Sequence, residues 1–185
     1  MESHAGHVSL IAFDPDAHKL LMADWLKHPH ARQWWGDPAE NLHEAVTADP
    51  GLGQALIQVD GRPVGYLRWR RLSRAALTTI RLADALDDVI DVDLLIGDPR
   101  ARGRGIAAAA LGRLCPRLLA DPSANQLVMC MSIENNPAVR AAEKAGFVRT
   151  IQYEDPEWGP CWVLSYCRAD LGEDGCEGGV DELPD

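Results

Sequence analysis

The sequence predicts an α/β (α+β) fold, and three observations lead there. Aliphatic runs of strand length alternate with longer amphipathic stretches. One such run, Asp91-Val92-Asp93-Leu94-Leu95-Ile96-Gly97, feeds a glycine-rich basic turn that opens an alanine-rich helix. A second run, Gln126 to Met131, precedes a helix with start and stop residues at its two ends. The 185 residues, 46% hydrophobic and 25% charged, suffice for one domain with a full core, expected over residues 1–171.

In chain order, Val8 to Phe13 reads as a first strand. Asp16 to Lys27 reads as an amphipathic helix with Leu20, Leu21, Met22 and Leu26 facing inward. A short helix is expected near Asp37 to Ala48, and Trp34-Trp35-Gly36 ahead of it reads as irregular backbone. Gln54–Val59 and Val64–Trp69 flank Asp60-Gly61-Arg62-Pro63, whose turn chemistry predicts a hairpin. A helix from about Gly103 to Leu119 contains Pro116, which should kink it or end it early and leave the Gly112 carbonyl without its amide partner. After the Gln126–Met131 strand, Asn135 or Asn136 can cap a helix that has Pro137 in its first turn and Gly146 at its end. Strands after Phe147 and around Cys161–Cys167 would close the sheet.

Charge and composition exclude several functions. A net charge of −10 and a pI near 5.0 argue against a nucleic-acid phosphate backbone as partner and favour a small cationic one. Six of those acids lie in residues 172–185, which contain no base and read as a disordered acidic tail. No apolar stretch of about 18 residues predicts a spanning helix, so no membrane partner is expected. Met1 to His7 has no export pattern, so a cytoplasmic location is expected. The five cysteines, Cys115, Cys130, Cys161, Cys167 and Cys176, contain no C-x-x-C pair and read as reduced structural thiols. His28, His30 and His43 lack metal-ligand spacing, so no metal is expected.

The turn Arg100-Ala101-Arg102-Gly103-Arg104-Gly105-Ile106 has the makings of a phosphate cradle. Two glycines let backbone approach a ligand, successive N–H groups form an anion nest, and the new helix contributes its positive dipole end. A Walker loop would need Gly-Lys-Ser/Thr here, and a dinucleotide fingerprint a third glycine with a later acid; neither is present. Five aspartates fall within Asp84–Asp93, a cluster suited to an amine-rich ligand. Strand alternation puts Asp91 and Asp93 on one face just ahead of the turn, and one of them is the expected general base. Six tryptophans against two phenylalanines is an unusual balance, and an indole of Trp34-Trp35 can wall a sugar ring or a cation.

Arg100-x-x-Gly103-x-Gly105 resembles the Arg/Gln-x-x-Gly-x-Gly/Ala signature of the GNAT acyltransferases, and Asn135-x-x-Ala138 with Glu143-Lys144-Ala145-Gly146-Phe147 resembles the segment after that family's fifth strand. The resemblance implies a mixed, mostly antiparallel twisted sheet of six to seven strands, splayed between strands 4 and 5 and flanked by about four helices. It implies acetyl-coenzyme A as cosubstrate, with its pyrophosphate on the turn formed by Arg100, Arg102, Gly103, Arg104, Gly105, Ile106 and Ala107. Asn135 and Ala138 would meet the coenzyme arm, and backbone N–H around Leu95 and Ile96 would stabilise the oxyanion. The family's usual proton-donating tyrosine is replaced by Ala142, so Tyr153, Tyr166 or water would serve.

Trp25-Leu26, Trp34-Trp35-Gly36, Gly61-Arg62-Pro63-Val64-Gly65-Tyr66, Ile90-Asp91, Glu143-Lys144-Ala145-Gly146-Phe147 and Gly159-Pro160, in this order, are similar to the bacterial aminoglycoside 6′-N-acetyltransferases. That branch lies near the siderophore hydroxylysine acyltransferases. The likeness implies an aminoglycoside acceptor bound by Trp34, Trp35, Tyr66, Asp87, Asp88 and Asp91, with Asp91 as base, and a monomer or homodimer. The siderophore enzymes place a histidine where this chain has Asp93, and they often lack the same tyrosine. Siderophore acylation, protein N-terminal acetylation, and a non-enzymatic coenzyme A or aminoglycoside binding module are the other readings.

Overall fold

In a computed structural model, residues 6–47, 49, 51–82 and 88–167 are described. Asp87 and the acidic segment 172–185 lie outside them. One seven-stranded sheet has the order β1-β2-β3-β4-β5-β7-β6: β1 Val8–Ala12, β2 Leu52–Val59, β3 Arg62–Arg71, β4 Val89–Ile96, β5 Gln126–Ser132, β6 Val148–Asp155 and β7 Gly159–Cys167. Six α-helices lie among the described residues: α1 Pro15–Lys27, α2 Pro29–Trp35, α3 Pro38–Val46, α4 Arg74–Thr79, α5 Ile106–Leu119 and α6 Asn136–Lys144. β1 with β2, β5 with β7 and β6 with β7 pair antiparallel. β4 and β5 run parallel, with Val89, Ile90 and Asp91 opposite Gln126, Leu127 and Val128.

The described chain forms two compact units, the first within Met1–Trp69 and Asp93–Arg113, the second within Arg70–Val92 and Leu114–Asp185. In the first, Asp14 and Asp37 cap α1 and α3, each carboxylate accepting from two backbone N–H groups. Asp60 and Gly61 turn from β2 to β3 with φ of 49° and 77°, the doubly positive geometry that makes Asp-Gly a hairpin signal. The core of this unit joins Phe13, Met22, Trp25, Leu26, Ala31, Ala45, Leu56, Tyr66 and Leu95. Burying a Leu- or Met-sized side chain contributes about 1.5–3 kcal/mol. Leu20, expected to face inward, is 84% exposed, because α1 turns Met22, Trp25 and Leu26 to the core and its opposite face to solvent.

The second unit is cored by Leu77, Ile80, Val89, Val128, Tyr153, Cys161 and Val163. Asn135 caps α6 through its side chain, which decides between the two asparagines. At the other end, Gly146 at φ 104° lets its N–H reach Glu143 O at 3.0 Å and the Phe147 N–H reach Ala142 O at 3.1 Å, the paired bonds of a Schellman stop.

Three expectations about the chain path need correction. Trp34 and Trp35 are not on irregular backbone: Pro29 opens α2 and Gly36 at φ 75° ends it. Pro116 does not end α5 early, because Gly112 and Pro116 both face solvent, where water can serve the Gly112 carbonyl left without an amide donor. Cys167 is disulfide-bonded rather than reduced, whereas Cys115, Cys130 and Cys161 are in the thiol form.

Candidate active site

The glycine turn has the conformation its residues suggested. Asp98 accepts from the Arg100 N–H at 2.9 Å and starts a short 3₁₀ turn, Pro99–Ala101. Gly103 and Gly105 then take φ of 71° and 76°, values that strain any residue with a Cβ. Ala101 and Ile106 are buried and anchor the loop at both ends, while residues 102–105 between them are exposed. A Cβ built on Gly103 meets nothing within 4 Å, so the space beside this backbone is open. Ala109 N–H reaches Gly105 O at 3.1 Å, which begins α5 and leaves the first N–H groups of the helix, those of Ile106 and Ala107 included, without intrahelical partners. Backbone donors, a helix start and the positive side chains of Arg100, Arg102 and Arg104 suit a diphosphate.

Two close approaches hold the strand that leads into this turn. Any Cβ on Gly65 would fall inside the envelope of the Leu95 carbonyl oxygen, and one on Gly97 would overlap the indole of Trp25. Gly97 and Asp98 both donate to Val64 O, at 2.9 and 3.0 Å. β3 and the end of β4 are thereby fixed where Leu95 and Ile96 lie.

The Ile96 carbonyl also accepts from His30 Nε2 at 2.9 Å, which assigns the ring proton to that nitrogen. The His30 ring stacks on His28 with centroids 5.7 Å apart. Burial pushes the His30 pKa below its ordinary 6.5, the Ile96 bond opposes that, and the nearby Arg102 charge adds to the lowering. The folded state therefore resists protonation, and stability present above the unfolded value is lost as pH falls below 6.5. Thermal melts across that range should show a midpoint that drops on acidification, and His30→Asn should flatten the drop. An unchanged slope in the variant refutes the assignment.

Of the two β4 aspartates, Asp91 lies in the parallel ladder opposite Val128, and its Oδ1 is buried. Asp93 is ion-paired with an arginine that sequence reasoning missed. Arg68 Nε donates to Asp93 Oδ2 at 2.7 Å, and its NH1 donates to Glu44 Oε2 and, at 3.3 Å, to Asn41 Oδ1. Its guanidinium carbon stands 4.6 Å from the centroid of the Trp35 ring. Burial disfavours the Arg68 charge, but Asp93 and Glu44 more than offset it, so its pKa is raised. Trp35 in turn meets Tyr66 edge to face at 6.1 Å. Tyr66 is fully buried against Phe13, so it stands behind Trp35 as a support. Trp34 is half-buried.

Asp88 gives its carboxylate to Arg71 at 2.6 Å, and Arg71 also bonds Asp121 and Ser123. The α6 end supplies no acid: Ala142 is fully buried. Tyr153 is 7% exposed and hydrogen-bonded to Cys130, and burial pushes its phenol far up, which makes it a poor proton donor to a ligand. Tyr166 is half-buried, packed on Phe147 at 5.4 Å and beside Gly146. Among the described residues no group of three or more His, Cys, Asp or Glu could hold a metal, and no helix is long and apolar enough to cross a membrane.

An exposed glycine turn that opens a helix after the end of a strand is an anion-binding arrangement. The acetyltransferase (GNAT) domain family matches residues 14–154, and the chain belongs to that family. Among curated proteins it is 27% identical over 164 residues to the aminoglycoside N(6′)-acetyltransferase type 1 of Klebsiella pneumoniae, covering 82% of this chain and 79% of that one. The enzyme of the same name from Serratia marcescens matches with the same figures. Among solved structures, AAC(6′)-Ib in complex with ribostamycin and coenzyme A superposes with a TM-score of 0.74 at 22% identity, over 92% of this chain and 98% of that one. That likeness shows the fold.

Proposed function

We propose that this protein transfers the acetyl group of acetyl-coenzyme A to a primary amine of an aminoglycoside, the 6′-amine being favoured, and that it thereby confers resistance. The observation that carries the reading is the match to two aminoglycoside N(6′)-acetyltransferases over 82% of the chain. The open glycine turn at residues 102–105 supports it independently.

In this reading Arg100, Arg102, Gly103, Arg104, Gly105, Ile106 and Ala107 hold the diphosphate, and Asn135 and Ala138 meet the coenzyme arm. Asp91 accepts a proton from the acceptor ammonium, directly or through one water. The freed amine attacks the thioester carbonyl, and N–H groups at Leu95 and Ile96 stabilise the oxyanion that forms. The tetrahedral adduct gives up its second N–H proton to water and expels the thiolate, leaving the neutral amide. Asp91 is preferred to Asp93 on the likeness to the aminoglycoside enzymes, which carries the base to its position in β4; Asp93 serves Arg68. With alanine at position 142, water or Tyr166 protonates the thiolate. Trp34 and Trp35 border the acceptor, Tyr66 backs Trp35, and Asp87 and Asp88 add to the acidic field that attracts a polyamine.

A thiol-release assay across 6′-amino aminoglycosides, hydroxylysine and a peptide with a free N-terminus tests the reading. Turnover with the 6′-amino compounds is expected. Turnover with hydroxylysine alone would move the assignment to siderophore acylation, and with the peptide alone to N-terminal acetylation. Heat of binding for acetyl-coenzyme A without product from any acceptor would mark a binding module.

A further inference from the structure

Arg68 has no part in the proposed chemistry, yet its surroundings are of the kind that bind a cation. An indole face, two carboxylates and an amide oxygen surround one guanidinium. All four are groups that seek a cation. They come from three elements, α2, α3 and β4, and converge on β3. Asn41 is itself oriented, since its Nδ2 donates to the carbonyls of Trp35 at 2.6 Å and Asp37 at 3.0 Å while its Oδ1 faces Arg68. The Arg68 side chain is 15% exposed, and those of Glu44 and Asp93 are 34% and 31% exposed, so their charges act in a medium less screening than water. With Arg68 in place the cluster carries one net negative charge; without it, two.

We propose that Arg68 is a specificity-determining residue: it fills, with the chain's own guanidinium, a cation subsite built from Trp35, Asn41, Glu44 and Asp93, and so limits the positive charge an acceptor can place there. The inference rests on the acceptor being a cationic amine, as in the proposed function. It separates this chain from an enzyme that would leave the same indole and carboxylates open to the acceptor. Its functional consequence is discrimination by charge number: acceptors with fewer ammonium groups are received, and a polycation is held more weakly than the acidic surroundings alone would allow.

The test has two arms, one of them independent of turnover. Arg68→Ala should open the subsite, so methylguanidinium should bind the variant saturably in calorimetry and raise its thermal midpoint, with no such binding to the unaltered protein. Adding Glu44→Gln should weaken that binding. Arg68→Met keeps an unbranched apolar stem, two atoms shorter, and removes the charge. In this variant the KM for a polyamine aminoglycoside should fall about tenfold relative to that for a monoamine acceptor. Methylguanidinium that binds both proteins alike, or neither, overturns the proposal, as does an unchanged KM ratio. An Arg68→Ala chain that folds only with methylguanidinium present supports it; if that chain stays unfolded, the Arg68→Met ratio decides. Failure of the functional reading would look different: no aminoglycoside would be acetylated by the unaltered protein, while methylguanidinium would still bind Arg68→Ala.

Discussion

Asp91→Asn should lower turnover by about 10²-fold or more with little change in the KM for acetyl-coenzyme A. The amide keeps the shape of the carboxylate but cannot take a proton. Because the loss arises in proton removal, it should shrink as pH rises and more of the acceptor arrives already uncharged, so the pH profile of kcat/KM separates a lost base from a disturbed fold. Asp93→Asn should behave differently. It removes one of the two carboxylates on Arg68, so its effect should fall mainly on acceptor KM. The reverse pattern would exchange the roles of the two residues. Steady-state kinetics of both variants against one 6′-amino acceptor makes the decision.

Gly97→Ala should destabilise the fold by about 1–3 kcal/mol, the usual cost of forcing an extra methyl into a packed core. The added Cβ would overlap the Trp25 indole, which is 3% exposed and has nowhere to retreat. Trp25→Leu alone should also destabilise, since it shortens a core side chain. In the double variant the two costs should not add, because the smaller leucine makes room for the methyl; neighbours in direct contact couple in this way. Chemical unfolding of the four proteins gives the coupling. Full additivity would mean that Trp25 does not press on Gly97 in solution.

The parts of the fold that could be read from sequence are those coded by neighbours in the chain. Asp60-Gly61 specified a hairpin by local backbone geometry, Asn135 and Gly146 marked the ends of α6, and Gly103 and Gly105 marked the turn. Two short helices escaped. In α2, only seven residues long, Pro29 and Gly36 are the ordinary start and stop signals, with two bulky indoles in its last turn. In α4 the only cue was Ser73, whose side chain accepts from Ala76 N–H, ahead of a run of six residues. Pro116 misled for a different reason: a proline's effect on a helix depends on whether the carbonyl it strands can reach water, and a local pattern does not say so.

The carboxylates at positions 91 and 93 were also legible, but the difference between them was not. It depends on Arg68, 25 residues upstream of Asp93, and on Glu44, a further 24 residues back. An arginine between Leu67 and Trp69 reads as an outward-facing strand residue until the sheet brings its partners together. Asp88 is comparable, since Arg71 claims it across 17 residues.

Each compact unit is assembled from two stretches of chain, and each is interrupted by a piece of the other. On a ribosome, neither can be finished when its first stretch emerges. The opening segment must wait for the strand end and glycine turn encoded after residue 92, and the second unit, begun at residue 70, must wait for the strands β5 to β7 encoded after residue 113. Contacts between such distant positions close late and slowly. Nascent chains halted before the second stretch would thus expose apolar strands without their mates, the species on which chaperones act.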